Sequence, residues 1–569
     1  MSEKYIKYSF LTRMLLTIAG GKVIREMKRQ SKNCKKASDN TLRHILTTSK
    51  DTVYGKEHHF EEILKAKTPE QLADLYHKNV PINEYNDLLP YVERHKNGEP
   101  DILFPGKPFM YATTSGTTKE PKWIPITTEY HKMVYGKMSL GWFWTLIHNK
   151  PKVFYRPGIS IVGKKIEGNA PDGTIYGSIS GVTFQDIPKF MRKLHTAPAD
   201  VFDIPDYKSR YYTIMRMGIE RDTHIILTAN PSTLVEMQSY ANDYLDEFCE
   251  DIRNGTISEK YPMPENIRKT LVESRLKPNP KRAEELLKLR ERYGTLLPKH
   301  YWPNLQIVNV WFCGNAKLYY EKVRDSYPYD TVFHEFGYFA TECRAGLVLK
   351  SNCPDTTLFC HKSHFEFVHE SDFDNPNPKI YQAWELEVGK RYKMVVTTCA
   401  GLYRYDMHDL IEVTNYLNEF PQIVYIQKLN GITTITGEKL HEDQFIAAVH
   451  ATEKITGKKA PFFVGFAEPL KSSYKYYYEF EDQYTSIDEA EKFTAQVDHI
   501  LQDYNPEYKE KRGTGRLKPP ETAILGPKAF ERFKKACIDR GYRDGQFKFN
   551  LLMQDEMRHA IFKELVKPV

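Results

Sequence analysis

At 569 residues the chain is longer than one hydrophobic core usually serves, so two domains of unequal size are expected. Its 41% apolar content indicates a globular protein, and a net charge of +7, spread along the chain without a basic tail or an aromatic–basic signature, argues against a nucleic-acid partner. Eight cysteines without framework spacing point to reduced thiols in a cytosolic compartment, with no disulfide required.

The first apolar run, YSFLTRMLLTIAGG at residues 8–21, is broken by Arg13 and leads into a charged helical pattern. It is a poor signal peptide and too short to span a bilayer, so a cytoplasmic, soluble protein with no membrane partner is expected. Next comes YATTSGTTKEPKWIPIT, residues 111–127, in which Thr114, Ser115, Gly116, Thr117 and Thr118 precede lysines at 119 and 122. Such a run can wrap a polyphosphate through converging backbone N–H groups and hydroxyls, with glycine allowing close approach, or it can be an ordinary polar loop. HKMVYGKMSLGWFWTLI, residues 131–147, reads as a helix rich in aromatic and apolar residues, the pattern of core packing. GISIVGKK, residues 158–165, nearly fits a P-loop, but Lys165 stands where the magnesium-binding hydroxyl is needed, and a strand with a glycine turn is the better reading.

From His224 the text alternates strand and helix, the pattern of an α/β protein. His224 to Leu227 read as a buried strand, Asn230 and Pro231 as a helix start, and Leu234, Met237, Ala241, Leu245, Phe248 and Ile252 as one helical face ending at Gly255. In LQIVNVWFCGNAKLYYEKVRDSY a strand through Phe312 meets Gly314 and Asn315 before another helix. DTVFHEFGYFATEC then places Tyr338, Thr341 and Glu342 just after a strand. A tyrosine can stack on a base, a threonine can donate to a phosphate and a glutamate can hold magnesium; a strand end with a solvated acid looks the same. CPDTTLFCHKSH gathers two cysteines and two histidines but lacks metal-site spacing, so no structural metal is expected. In TTCAGLYRYDMHDLIEV, Asp409 lies between two strands, where a carboxylate can take both hydroxyls of a ribose or serve as a turn acid. Near residue 428 the pattern changes, with KLNGITTITGEK followed by the helix-like HEDQFIAAVHATEKI, and a domain boundary is placed there, giving domains 1–427 and 428–569.

In order and spacing, TSGTTKEPK, GYFATEC and GLYRYDMHDLIEV resemble the three nucleotide-binding motifs of the adenylate-forming enzymes, and most closely the auxin-responsive acyl acid–amido synthetase family. The C-terminal YNPEYKEKR and DGQFKFN are also similar to family text. The resemblance implies an α/β fold with a large N-terminal adenylation domain of sheets flanked by helices, and a smaller mobile α+β C-terminal domain. It implies a ligase that uses ATP and Mg²⁺ to convert a carboxylic acid to an acyl-adenylate and passes the acyl group to an amine, an amino acid in the family. Thr114, Ser115, Gly116 and Thr117 would then cradle phosphates, Gly314, Asn315 and Tyr338 line the adenine site, Thr341 contact the α-phosphate, and Asp409 hold the ribose. Glu342 would bind the metal, Lys548 would be the catalytic lysine, and Lys428 would be the hinge. The family habit is a monomer.

Three positions depart from the family pattern. Lys119 and His408 stand where glycine is common, and Lys428 where arginine is. An acyl-coenzyme A ligase, sharing the adenylation half, and a nucleotide-binding pseudoenzyme of the same fold remain as alternatives. The acid, the amine and the acyl-pocket residues are not legible.

Overall fold

The computed structural model describes residues 3–114, 122–185, 187, 191–313, 320, 323–373, 375, 377–429, 431–539 and 550–567. The chain divides into two compact units, a larger one of Met1–Thr114 and Trp123–Gln427 and a smaller one containing Lys428–Val569.

The centre of the larger unit is a parallel sheet of four short strands, Ile159–Ile161, Ile225–Thr228, Ile307–Asn309 and Val332–His334, side by side in chain order. The strands are apolar and buried because successive side chains enter different cores. Ile225 and Ile307 join one cluster, and Ile159, Ile226, Val308 and Phe333 join the other. The helices Tyr207–Ile219, Ser232–Asp243, Leu245–Asn254 and Pro280–Tyr293 contribute to the second cluster.

The single helix expected from Pro231 to Gly255 is in fact two. Tyr244 leaves helical geometry at φ −115°, ψ 17°, where its ring lies 5.0 Å from Tyr240 and edge-on to Tyr261. Tertiary packing of aromatic rings has overridden a continuous apolar stripe. GISIVGKK is a strand at Ile159–Ile161 followed by a loop. The helix-like run 131–147 contains a π-helical turn, His131–Gly136, before the α-helix Lys137–Asn149.

A seven-stranded sheet completes the first cluster, in the order Ile380–Gln382, His364–His369, Arg391–Thr397, Tyr405–Leu417, Phe420–Lys428, Thr356–Leu358 and Gly346–Val348. The strands from Ile380–Gln382 through Tyr405–Leu417 run antiparallel to one another in turn, as do Phe420–Lys428, Thr356–Leu358 and Gly346–Val348. Asp409 does not lie between two strands. It sits within Tyr405–Leu417, because the ladder with Arg391–Thr397 shifts register at Lys393/Val395 and the strand continues through the irregularity.

In the smaller unit, a sheet of Glu521–Ile524, Ser473–Glu479, Phe462–Glu468 and Leu552–Met553 separates two further clusters. Tyr474, Tyr476 and Tyr478 pack on one face beside the helices Glu442–Thr456 and Ile487–Tyr504, while Tyr477 packs on the other with Phe533 and Phe562. That is the period-two alternation of a strand covered on both sides.

Candidate active site

Ligands of open parallel sheets bind beyond the carboxyl ends of the strands, where loops carry polar groups past the last buried residue. Here three of those loops are tied together. Trp311 donates its backbone N–H to the Ala229 carbonyl at 3.0 Å and its indole N–H to the Gly337 carbonyl at 3.3 Å. Glu335, buried at the end of Val332–His334, accepts the Phe312 N–H at 2.6 Å and the Phe336 N–H at 3.2 Å. Burial pushes its carboxyl up to about 8, against the pull of those hydrogen bonds, so it is mostly protonated at neutral pH. Glu335 joins the starts of two loops, a role that no motif in the sequence marks. Its one signal was a charged residue directly after an apolar strand.

The next residues form a tight reversal. Gly337 has φ +82°, and a Cβ there would lie 3.1 Å from the Gly346 carbonyl, so glycine alone fits without strain. Tyr338 donates its N–H to Thr356 Oγ1 at 3.1 Å and accepts from Ala345 N–H at 3.0 Å. Phe339 pairs with Arg344, and Ala340 N–H donates to the Cys343 carbonyl at 2.9 Å. Thr341 and Glu342 are therefore the two central residues of the turn, the Tyr135 hydroxyl reaching the Thr341 carbonyl at 3.5 Å.

From this reversal the Tyr338 hydroxyl donates to Asp409 on the strand Tyr405–Leu417. Both side chains are buried, as is Glu342. Burial, and then the Asp409 charge, push the Tyr338 phenol far above its ordinary range, so it stays protonated and donates. Burial raises Tyr405 likewise, and Glu342 is the leading charge acting on it. Two motifs 71 residues apart, read separately in the sequence, thus converge in space.

The strand that carries Asp409 is held from beneath. Asn83 exchanges backbone hydrogen bonds with Arg404 and Asp406, each at 2.9 Å, and its amide reaches the Tyr403 carbonyl at 2.7 Å. Arg404 pairs with buried Glu366 at 3.1 Å, and His77 meets the same carboxylate at 2.5 Å. Burial alone would raise Glu366, but Arg404 and His77 hold it down at about 2. Lys393 pairs with Asp406 at 2.7 Å. His408 has φ +50°, the left-handed conformation that glycine adopts freely, and its N–H donates to Asp406 at 2.8 Å. The glycine common at this position in the resembling family matches the backbone that this histidine holds.

Of the other sequence-predicted residues, Thr114 ends the strand Met110–Thr114 and Lys428 ends Phe420–Lys428. Ser115, Gly116, Thr117, Gly314, Asn315 and Lys548 lie outside the described residues, as does Lys119. Among the described residues no three His, Cys, Asp or Glu side chains gather as a metal site. A divalent cation at Glu342 would take one protein carboxylate and fill its other positions from phosphate and water, which suits magnesium.

The architecture is shared with an acyl acid amido synthetase, GH3.15, whose solved structure superposes with a TM-score of 0.62 at 20% identity, covering 96% of this chain and 95% of that one. The fold is therefore the one that this amido synthetase has. Family models of the GH3 N-terminal, central and C-terminal domains match residues 23–332, 356–428 and 443–557, and the chain belongs to the GH3 family. Indole-3-acetic acid-amido synthetase GH3.3 of Arabidopsis thaliana is 23% identical over 550 residues, covering 93% of this chain and 91% of its own length. Jasmonoyl--L-amino acid synthetase JAR4 of Nicotiana attenuata is 25% identical over 471 residues, 79% of each chain.

Proposed function

We propose that this protein activates a carboxylic acid with ATP as an acyl-adenylate and transfers the acyl group to an amine, an amino acid as in the named relatives, to form an amide. The observation that carries the reading is the Tyr338–Asp409 hydrogen bond, which sets the tyrosine-to-glutamate turn beside the ribose-type aspartate. Amido synthetase relatives matched over most of the chain support the same reaction class.

A carboxylate is a poor electrophile, and its attack on a triphosphate brings two anions together; alignment and charge neutralisation dominate the barrier. In this reading Asp409 accepts the ribose hydroxyls while Tyr338 fixes the carboxylate's orientation and packs on the base. Thr341 donates to the α-phosphate from the corner of its turn. Glu342 would hold Mg²⁺, whose chemistry is to screen phosphate charge as a Lewis acid. The hydroxyl run Thr114–Thr117 and the Gly314–Asn315 loop complete the nucleotide site. Lys548, from the domain beyond hinge residue Lys428, places a positive charge at the reacting α-phosphate. Among the described residues no helix is long and apolar enough to cross a membrane, and a cytoplasmic monomer remains part of the proposal.

The test is acid-dependent ATP–pyrophosphate exchange over a panel of aromatic, fatty and hydroxy acids, followed by product analysis with amino acids and with coenzyme A. Exchange followed by amide formation is the expected result. Thioester in place of amide would make the protein an acyl-coenzyme A ligase, and absence of exchange with every acid would make it a nucleotide-binding pseudoenzyme.

A further inference from the structure

Among the described residues, five of the large apolar side chains most open to solvent fall within nine positions of the first helix, Glu3–Gln30. Phe10, Leu11, Met14, Leu15 and Ile18 are between 43% and 61% exposed. Spacings of one, three and four residues put them on one side of the helix. Together they form an apolar patch on the order of several hundred Å², a size that marks an interaction surface.

The helix itself is firmly docked. Its inner side buries Leu16, Val23, Ile24 and Met27, and Gly20 lies so close to Lys137–Asn149 that a Cβ would meet Trp144 Cβ at 2.6 Å. Arg13, the charge that breaks the run in sequence, is turned aside, its guanidinium 4.4 Å from the Tyr155 ring centroid. The outward stripe runs on from Ile18 through Lys22, Arg25 and Arg29, all exposed. No acidic residue occurs between Glu3 and Glu26, and Glu26 pairs with Lys362 at 2.9 Å. The outer face is thus apolar for its first half and purely cationic for its second. Beside its start lies a cavity of about 530 Å³ lined by Phe10, Tyr155, Lys152, Arg156, Asp222 and His224. There Arg156 is 3.2 Å from Asp222, and Lys152 is exposed.

We infer that this helix is a peripheral contact for an anionic lipid surface. The apolar half enters the headgroup–acyl boundary, and Lys22, Arg25 and Arg29 lie on the acidic headgroups, with Lys152 meeting a further phosphate at the cavity. An amphipathic helix lying in the interface binds by exactly these two terms, buried apolar area and attraction of basic residues to acidic lipid. Such a contact departs from the expectation of no membrane partner, which rested on the first apolar run being too short to span a bilayer and did not weigh surface contact. A second copy of the chain fits the stripe less well, since the sequence offers no acidic residue between Glu3 and Glu26 to meet Lys22 and Arg25 of the other copy.

The test is co-sedimentation of the full chain with phosphatidylcholine vesicles made with and without phosphatidylserine. Binding is expected only with phosphatidylserine, with more than about a tenfold loss for Leu15→Glu/Ile18→Glu and for Lys22→Glu/Arg25→Glu, and weakening in high salt. Circular dichroism and melting of both variants establish that they remain folded. No binding by the wild-type chain, equal binding by folded variants, or a concentration-dependent dimer that Leu15→Glu dissolves would each overturn the inference. The exchange assay reads the active site separately, so either result stands without the other.

Discussion

The hydroxyl of Tyr338 donates to the carboxylate of Asp409, joining the turn after the last parallel strand to the strand Tyr405–Leu417. The pair is buried, so removing one partner leaves a desolvated polar group. Tyr338→Phe is expected to lower stability by about 1–3 kcal/mol and to raise the KM for ATP. Asp409→Ala should raise the ATP KM by about tenfold or more while the KM for the acid changes little. Chemical denaturation and exchange kinetics with each substrate varied check both; equal rises in the two KM values would remove Asp409 from the nucleotide site.

His408 holds a left-handed backbone within a strand. Histidine tolerates that region better than a β-branched residue does, and glycine best of all. His408→Gly should be neutral to stabilising, by up to about 1 kcal/mol, whereas His408→Val should cost about 1–2 kcal/mol. Melting temperatures of the two variants decide it, and a valine variant as stable as the glycine variant would contradict the strain.

Motif order singled out Tyr338, Thr341, Glu342 and Asp409 as candidates, because each sits in a short segment whose chemistry is local. That Tyr338 meets Asp409 was not legible, because the contact joins side chains 71 residues apart. Glu335 and the His77–Glu366–Arg404 cluster escaped for the same reason: a buried charge is explained only by its distant partners. Asp409 was read as lying between strands because one left-handed residue and a register shift interrupt the period-two signal without ending the strand. The first helix shows the converse, since Arg13 looked like a break in an apolar run and proves to face Tyr155.

Lys548→Ala should abolish acid-dependent exchange while nucleotide binding survives, since the lysine is assigned to charge that develops at the α-phosphate during attack. Glu342→Ala should instead weaken the dependence on magnesium. Wild-type exchange in the lysine variant, or an unchanged magnesium titration in the glutamate variant, would reassign that residue.

Burial lowers His95, His195, His334 and His364 to about 4, and His361 to about 3, from an ordinary 6.5. The unfolded chain takes up these protons first, so their contribution is complete above pH 6.5 and is lost as pH falls towards 4. Glu366, at about 2, adds a loss that begins near 4.5. Both ring nitrogens of His361 are buried without a hydrogen-bond partner among the described residues, and the ring stacks on Phe359 and Phe420. His361→Phe should therefore raise stability by about 1 kcal/mol or more at acid pH and flatten the slope. Denaturation across the range from neutral to pH 4 tests this, and an unaltered slope would discount the residue.

Glu335 titrates in the opposite sense. Burial raises its carboxyl from 4.5 to about 8, so the folded chain keeps a proton that the unfolded chain has released, and its contribution falls as pH rises from 4.5 through 8. Glu335→Gln cannot ionise, but its amide must face one of the two backbone donors that the carboxyl accepts, from Phe312 and Phe336. The variant should be less stable than wild type by about 1–2 kcal/mol at pH 5, and that deficit should shrink above pH 8. Because Phe312 leads into the proposed adenine loop, the ATP KM should rise in the variant while the acid KM holds. A deficit that does not vary with pH would mean that Glu335 is already ionised in the folded protein, and an unchanged ATP KM would confine its role to the fold.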